Sequence, residues 1–221
     1  MGTPPAGCPR SAVPALGIDV QKVITYDHDP VKSVLAFLEH HRADLIVLAT
    51  HQYEGRSHWL RGSVAEPVSR QSGQMTLFIP HGVDGFVSRQ DGSVSLRHIL
   101  IPIAPTPRPQ PAIEAAVRLV HRLRCPAGTF TTLFVGAPGR APAVRCPTVP
   151  GWQWNGIVRS GDVIDTIVQT ASDMETNLIV MSTDGRNGFL DALRGSHSER
   201  VLRRTPVRCW QSRWRQRWRR G

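Results

Sequence analysis

The chain repeats itself, and that repeat constrains its fold more than any other feature. Asp44-Leu-Ile-Val-Leu-Ala-Thr50 recurs as Asn177-Leu-Ile-Val-Met-Ser-Thr183, an offset of 133 residues. At the same offset Leu60-Arg-Gly-Ser63 falls on Leu193-Arg-Gly-Ser196, and Glu66, Val68 and Arg70 fall on Glu199, Val201 and Arg203. Each copy reads as a strand, a glycine-containing loop, a Gly-Ser step and a helix. In that order of elements, backbone N–H groups at a helix N-terminus can hold a phosphate.

The apolar runs Leu45–Ala49 and Leu178–Met181 are short, unbroken and rich in β-branched residues, the pattern of strands covered on both faces. A helical stripe precedes each. Val31, Val34, Leu35 and Leu38 are spaced i, i+3, i+4, i+7, and the offset carries them onto Ile164, Ile167, Val168 and Ala171. Asp29 and Asp162 stand where N-caps belong, and Pro30 suits a first helical turn. Strand and helix therefore alternate, which predicts an α/β fold with a parallel sheet and helices on both faces.

The second copy has a longer opening. His98–Ile103 predicts a strand, Pro111–Arg124 an amphipathic helix with Ile113, Ala116, Val117 and Val120 on its apolar side, and Thr129–Val135 another strand. Such a β-α-β opening begins a nucleotide-binding unit. Subtracting the offset ends its counterpart near residue 2, so the first copy is expected to lack its opening β-α-β. The predicted organisation is an incomplete first domain over 1–81, a glycine-bearing linker over 82–94, a second domain over 95–211 and an Arg/Trp-rich tail over 212–221. Ala137–Pro150, rich in proline and glycine, is expected to be a helix-free connection, and Trp152 and Trp154 to be packing residues in the strand after it.

These residues resemble the universal stress protein (UspA-like) family in its tandem, Rossmann-like form. The family signature G-x2-G-x9-G-[ST] becomes Ser182-x2-Gly185-x9-Gly195-Ser196 in the second copy and Ala49-x2-Gln52-x9-Gly62-Ser63 in the first. The resemblance implies a stress-response regulatory or binding module. It implies ATP with Mg²⁺ as ligand, held by Ser182, Gly185, Gly195 and Ser196, with Gly62 and Ser63 as the first-copy counterparts. It also implies an aspartate at the end of the opening strand, where Ala104 stands here. Ser182 puts a side chain where the family has bare backbone, and Asp184 brings a negative charge towards the phosphates.

Other chemistry finds little support. Ser63 and Ser196 lie in no nucleophile elbow and no general base is implied by spacing, so a non-enzyme is expected. Asp27-His28-Asp29 resembles a metal cluster, but adjacent residues rarely converge on one ion and Asp29 suits an N-cap. His51 and His58 flank the first glycine loop, where solvated histidines are the simpler reading. Cys8, Cys125, Cys146 and Cys209 show no C-x-x-C spacing, and with no leader or membrane-length apolar run the expected setting is cytoplasmic.

The net charge of +10 is carried largely by arginine, much of it between Arg194 and Arg220 and interleaved with tryptophan. Two alternatives to nucleotide binding therefore stand. One is a ligand-free interaction protein, working as a homodimer or an intramolecular domain pair. The other is a tail contacting nucleic acid or an acidic membrane surface. Arg208-Cys-Trp-Gln211, in place of an apolar run, predicts that the last strand is degraded.

Overall fold

The structure, a computed structural model, describes residues 21–25, 28–41, 43–50, 64–80, 82–83, 85–88, 90–183, 201, 204 and 207–213. In chain order its elements are α1 (Pro30–His40), β1 (Ile46–Thr50), α2 (Ala65–Ser72), β2 (Thr76–Pro80), β3 (His98–Ile103), α3 (Gln110–Arg122), β4 (Gly128–Val135), β5 (Trp152–Arg159), α4 (Val163–Asp173), β6 (Leu178–Thr183) and β7 (Arg208–Arg213). The offset of 133 maps α1 onto α4 at both ends. Asp29 and Asp162 cap these helices, each carboxylate accepting two backbone N–H bonds from the first turn.

All seven strands form one sheet in the order β1-β2-β7-β6-β3-β4-β5. Every pairing is parallel except β2 with β7. In that antiparallel pair Leu77 faces Trp210, Thr76 faces Gln211 and Phe78 faces Cys209. Leu77 and Trp210 are themselves related by the offset. The register is thus symmetric about that pair, and the two repeats meet edge to edge across a local pseudo-twofold axis.

The last strand is therefore not degraded as the sequence predicted. β7 pairs with β6 on one side and β2 on the other, and runs through Ser212 and Arg213, two residues into the segment assigned to the tail. Ladder hydrogen bonds come from the backbone, so two flanking strands hold a third whatever its side-chain pattern. At its start the Arg208 guanidinium donates to Asn177 O (3.2 Å) and lies 5.6 Å from the centre of the Phe86 ring.

Alternate residues of the central strands feed two cores, as the period of two requires. Ile99, Ile101, Phe130, Leu178 and Val180 pack with Ala112, Ile113, Ala116 and Val120 of α3. Leu100, Leu133, Ile179 and Met181 pack on the other face with Ile164, Ile167 and Ala171 of α4. The 136–151 connection carries no helix, as expected. Trp152 and Trp154 anchor it, stacking on Phe130 with ring centres 4.5 and 4.4 Å away and donating to Cys125 O and Pro147 O. Cys125 and Cys146 are free thiols, and burial raises both above the usual thiol range. Among the described residues no helix is long and apolar enough to cross a membrane.

Candidate functional site

The strand order itself locates the site. From β3 the chain moves outward through α3 to β4 and β5, then returns through α4 to β6 on the opposite side of β3. Two crossovers departing in opposite directions leave a crevice beyond the carboxyl ends of the strands between them, where open parallel sheets bind ligands. A cavity of about 190 Å³ lies there. Pro102 and Ile103 of β3, Leu133 and Val135 of β4, and Met181 and Ser182 of β6 form its floor, Ala104, Thr106 and Pro107 one wall, and Val163 and Ile167 of α4 another.

Among the described lining residues most side chains are apolar, only Thr106 and Ser182 bring polar ones, and none is a carboxylate. Ala104, where the family resemblance implies an aspartate, is part of the lining. Ser182 is buried, and its hydroxyl accepts a hydrogen bond from Ala112 N–H at 3.2 Å. That bond has a local cause. Helix α3 is preceded by Pro109, which gives no side-chain cap, and Pro111 supplies no donor. The Ala112 N–H is shared between Pro109 O (3.0 Å) and the Ser182 hydroxyl, so a residue 70 positions away completes the first turn. A second tie comes from Gln110, whose side chain donates to Arg145 O (3.1 Å) and accepts from Arg145 N (3.0 Å). The stiff 105–111 loop is thereby held between β6 and the 136–151 connection.

The N-terminus of α4 also reaches the cavity through Val163, but the amides of Ile164, Asp165 and Thr166 are already engaged. Asp162 accepts from Ile164 N at 2.9 Å and Asp165 N at 3.0 Å, and Asp165 adds a second carboxylate in the first turn, paired with Arg204. A helix start so occupied offers those amides to no incoming phosphate.

Of the sequence-predicted site residues, Ser182 lies in the cavity floor at the end of β6. Gly185, Gly195, Ser196, Gly62 and Ser63 lie outside the described residues, as do Asp184, His51 and His58. Asp29 is an N-cap, as expected, and among the described residues no cluster could hold a metal ion. No local pattern signals that Thr106, Pro107, Val163 and Ile167 share the cavity. Their meeting depends on the strand order, and only the β-α-β pattern hinted at it.

A doubly wound α/β sheet with an apolar cavity at its switch point defines the class of Rossmann-like nucleotide-fold proteins. Within that class the chain belongs to the universal stress protein family, whose model matches residues 10–80 and 153–211. Among solved structures, a universal stress protein from Archaeoglobus fulgidus DSM 4304 is similar at 20% identity and a TM-score of 0.60, over 84% of this chain and 65% of that one. The present chain thus spans less than two thirds of that relative's length. UspA from Lactobacillus plantarum (19% identity, TM-score 0.40, 54% of this chain and 97% of that one) is also similar. So is a universal stress protein in complex with cAMP (10% identity, TM-score 0.36, 53% and 97%). Compared with curated protein sequences, the chain finds no match.

Proposed function

We propose that the chain is a non-catalytic regulatory module of the stress response that binds an adenine nucleotide in its second repeat. The observation that carries this reading is the apolar cavity beyond the ends of β3, β4 and β6, at the reversal of strand order. About 190 Å³ is below the ~300 Å³ at which whole small-molecule sites begin, so it takes one flat ring system and leaves the rest of the ligand outside. The base fits the apolar walls, and the phosphates extend from Ser182 towards Gly185, Gly195 and Ser196. With no carboxylate among the described lining residues, Mg²⁺ would be held chiefly by the phosphates and water.

Calorimetric titration of the full chain with Mg-ATP tests this, alongside Gly195→Asp and Ile167→Trp variants. Saturable binding lost in both variants is the expected result. The first adds charge at the proposed phosphate site, and the second fills the cavity. Absence of heat with a folded protein overturns the reading and leaves the ligand-free interaction module. The observation favouring that second reading is the exposure of Leu45 and Val47 on and beside β1 in the first repeat.

A further inference from the structure

Two helices begin beside the cavity, and their first turns differ in charge. Helix α4 carries Asp162 as its cap and Asp165 in its first turn. Helix α3, thirteen residues long, has no side-chain cap and no acidic residue in its first turn. Its N-terminus therefore keeps the partial positive charge of its aligned peptide dipoles. One side chain touches both that helix end and the cavity. Ser182, at the end of β6, lines the cavity and accepts the Ala112 N–H at 3.2 Å.

The hydrogen-bonding capacity of that hydroxyl is only partly used. A serine hydroxyl has one proton to give and two lone pairs. Ala112 N–H occupies a lone pair, and among the described residues nothing accepts the proton. Ser182 is only 9% exposed, so solvent does little for it, and a buried donor left without an acceptor is costly. Thr106, the other polar side chain of the lining, is exposed and can turn to water. The bond from Ala112 N–H also polarises the Ser182 hydroxyl and strengthens it as a donor. Such a donor, beside a positive helix end, prefers an anionic oxygen to a neutral acceptor.

We propose that Ser182 is a specificity-determining residue. Its hydroxyl donates to an oxygen of the ligand's first phosphate, and through that bond the site takes nucleotides in preference to nucleosides. The inference rests on the nucleotide reading above, in which the base lies against Leu133, Val135 and Ile167 and the phosphates leave past Ser182. A ring nitrogen or a ribose hydroxyl could also accept from Ser182, but neither brings charge for the end of α3 to stabilise. A phosphate oxygen satisfies the buried donor and places negative charge near the helix N-terminus in one contact.

The test titrates adenosine and AMP separately against the full chain, following the ligand signals by NMR. AMP limits the contact to one phosphate. Expected is AMP bound about tenfold or more tightly than adenosine, the scale of a hydrogen bond to a charged group. Ser182→Ala should lower that ratio to about two or less by weakening AMP alone. The Ala112 N–H keeps Pro109 O at 3.0 Å, so α3 retains its start in this variant. Ser182→Thr, which keeps the hydroxyl, should keep the ratio. A ratio that Ser182→Ala leaves unchanged overturns the proposal while the nucleotide reading stands. Equal weakening of both ligands also overturns it, since the serine would then act through the fold, the base or the ribose. If neither these ligands nor Mg-ATP bind the folded protein, the nucleotide reading fails and this inference falls with it.

Discussion

The two repeats share a pattern but not an environment. Helices α1 and α4 begin at matched aspartates and end at matched positions, with apolar stripes of the same spacing. One stripe is buried and the other is not. The difference lies in neither propensity nor capping; it lies in what stands opposite. In the second repeat, β3 and β4 give α4 a surface to cover, and α3 covers β6 in turn. In the first repeat, the described residues place no strand beyond β1. Identical local instructions yield a packed core in one case and an exposed sheet edge in the other, because most helical stability in proteins comes from tertiary packing.

The sharpest way to break that comparison is to cut the same side chain from both copies. Leu178→Ala removes a fully buried side chain between β6 and α3 and should cost about 2–5 kcal/mol. Leu45→Ala, at the matched position, leaves little cavity and should stay within about 0.5 kcal/mol. Urea denaturation of the two variants measures both. Equal losses would mean that Leu45 is covered as well as Leu178 is, and the contrast between repeats would fail.

A smaller contrast lies at the helix starts. Asp162→Ala strips two N–H bonds from a helix packed into the core and should lower stability by about 1 kcal/mol. Asp29→Ala strips the same two bonds from α1, whose apolar stripe is only half-buried. It should leave the denaturation midpoint unmoved while speeding hydrogen exchange in the first turn of α1. A shift in the midpoint for Asp29→Ala would show that α1 contributes to the cooperative unit.

Much of this was legible in the sequence, and the reasons differ by element. The offset alone aligned α1 with α4 and β1 with β6, because local spacing and capping determine where those elements start and stop. β3 was read to the residue, since its apolar run is bounded on both sides. β7 was misread for the opposite reason: Arg208-Cys-Trp-Gln211 carries no strand pattern, and its pairing is supplied by β2 and β6, distant in the chain. The cavity was legible only as a position, from the β-α-β opening. Its construction was hidden, because the Ser182–Ala112 and Gln110–Arg145 bonds join residues 70 and 35 positions apart. Ser182 shows what stayed hidden. Its type suggested a side chain at a ligand site; it does line the cavity, and its hydroxyl also finishes the start of a helix.

The last comparison concerns the segment between the repeats, which should respond to neither. Asp91 sits in an exposed hairpin closed by Ser88 N–H to Ser93 O (2.8 Å), and accepts from the Ser93 amide (3.0 Å) and hydroxyl (2.8 Å). Hydrogen bonding by Ser88, then by Ser93, lowers its carboxyl from 3.8 to about 2. A carboxyl lowered on folding favours the folded hairpin while ionised. That contribution is in place above pH 3.8 and disappears as the pH falls towards 2. Carbon-detected titration should give Asp91 a midpoint near 2, moving up towards 3.8 in Ser88→Ala, with the denaturation midpoint at neutral pH unchanged. The hairpin is not isolated, since Phe86 at its base is buried in the α3-side core beneath the Arg208 guanidinium. If Leu178→Ala raises the Asp91 midpoint while Leu45→Ala does not, the linker belongs energetically to the second repeat. If neither does, the hairpin is a local structure, and the asymmetry between the repeats is confined to their own strands and helices.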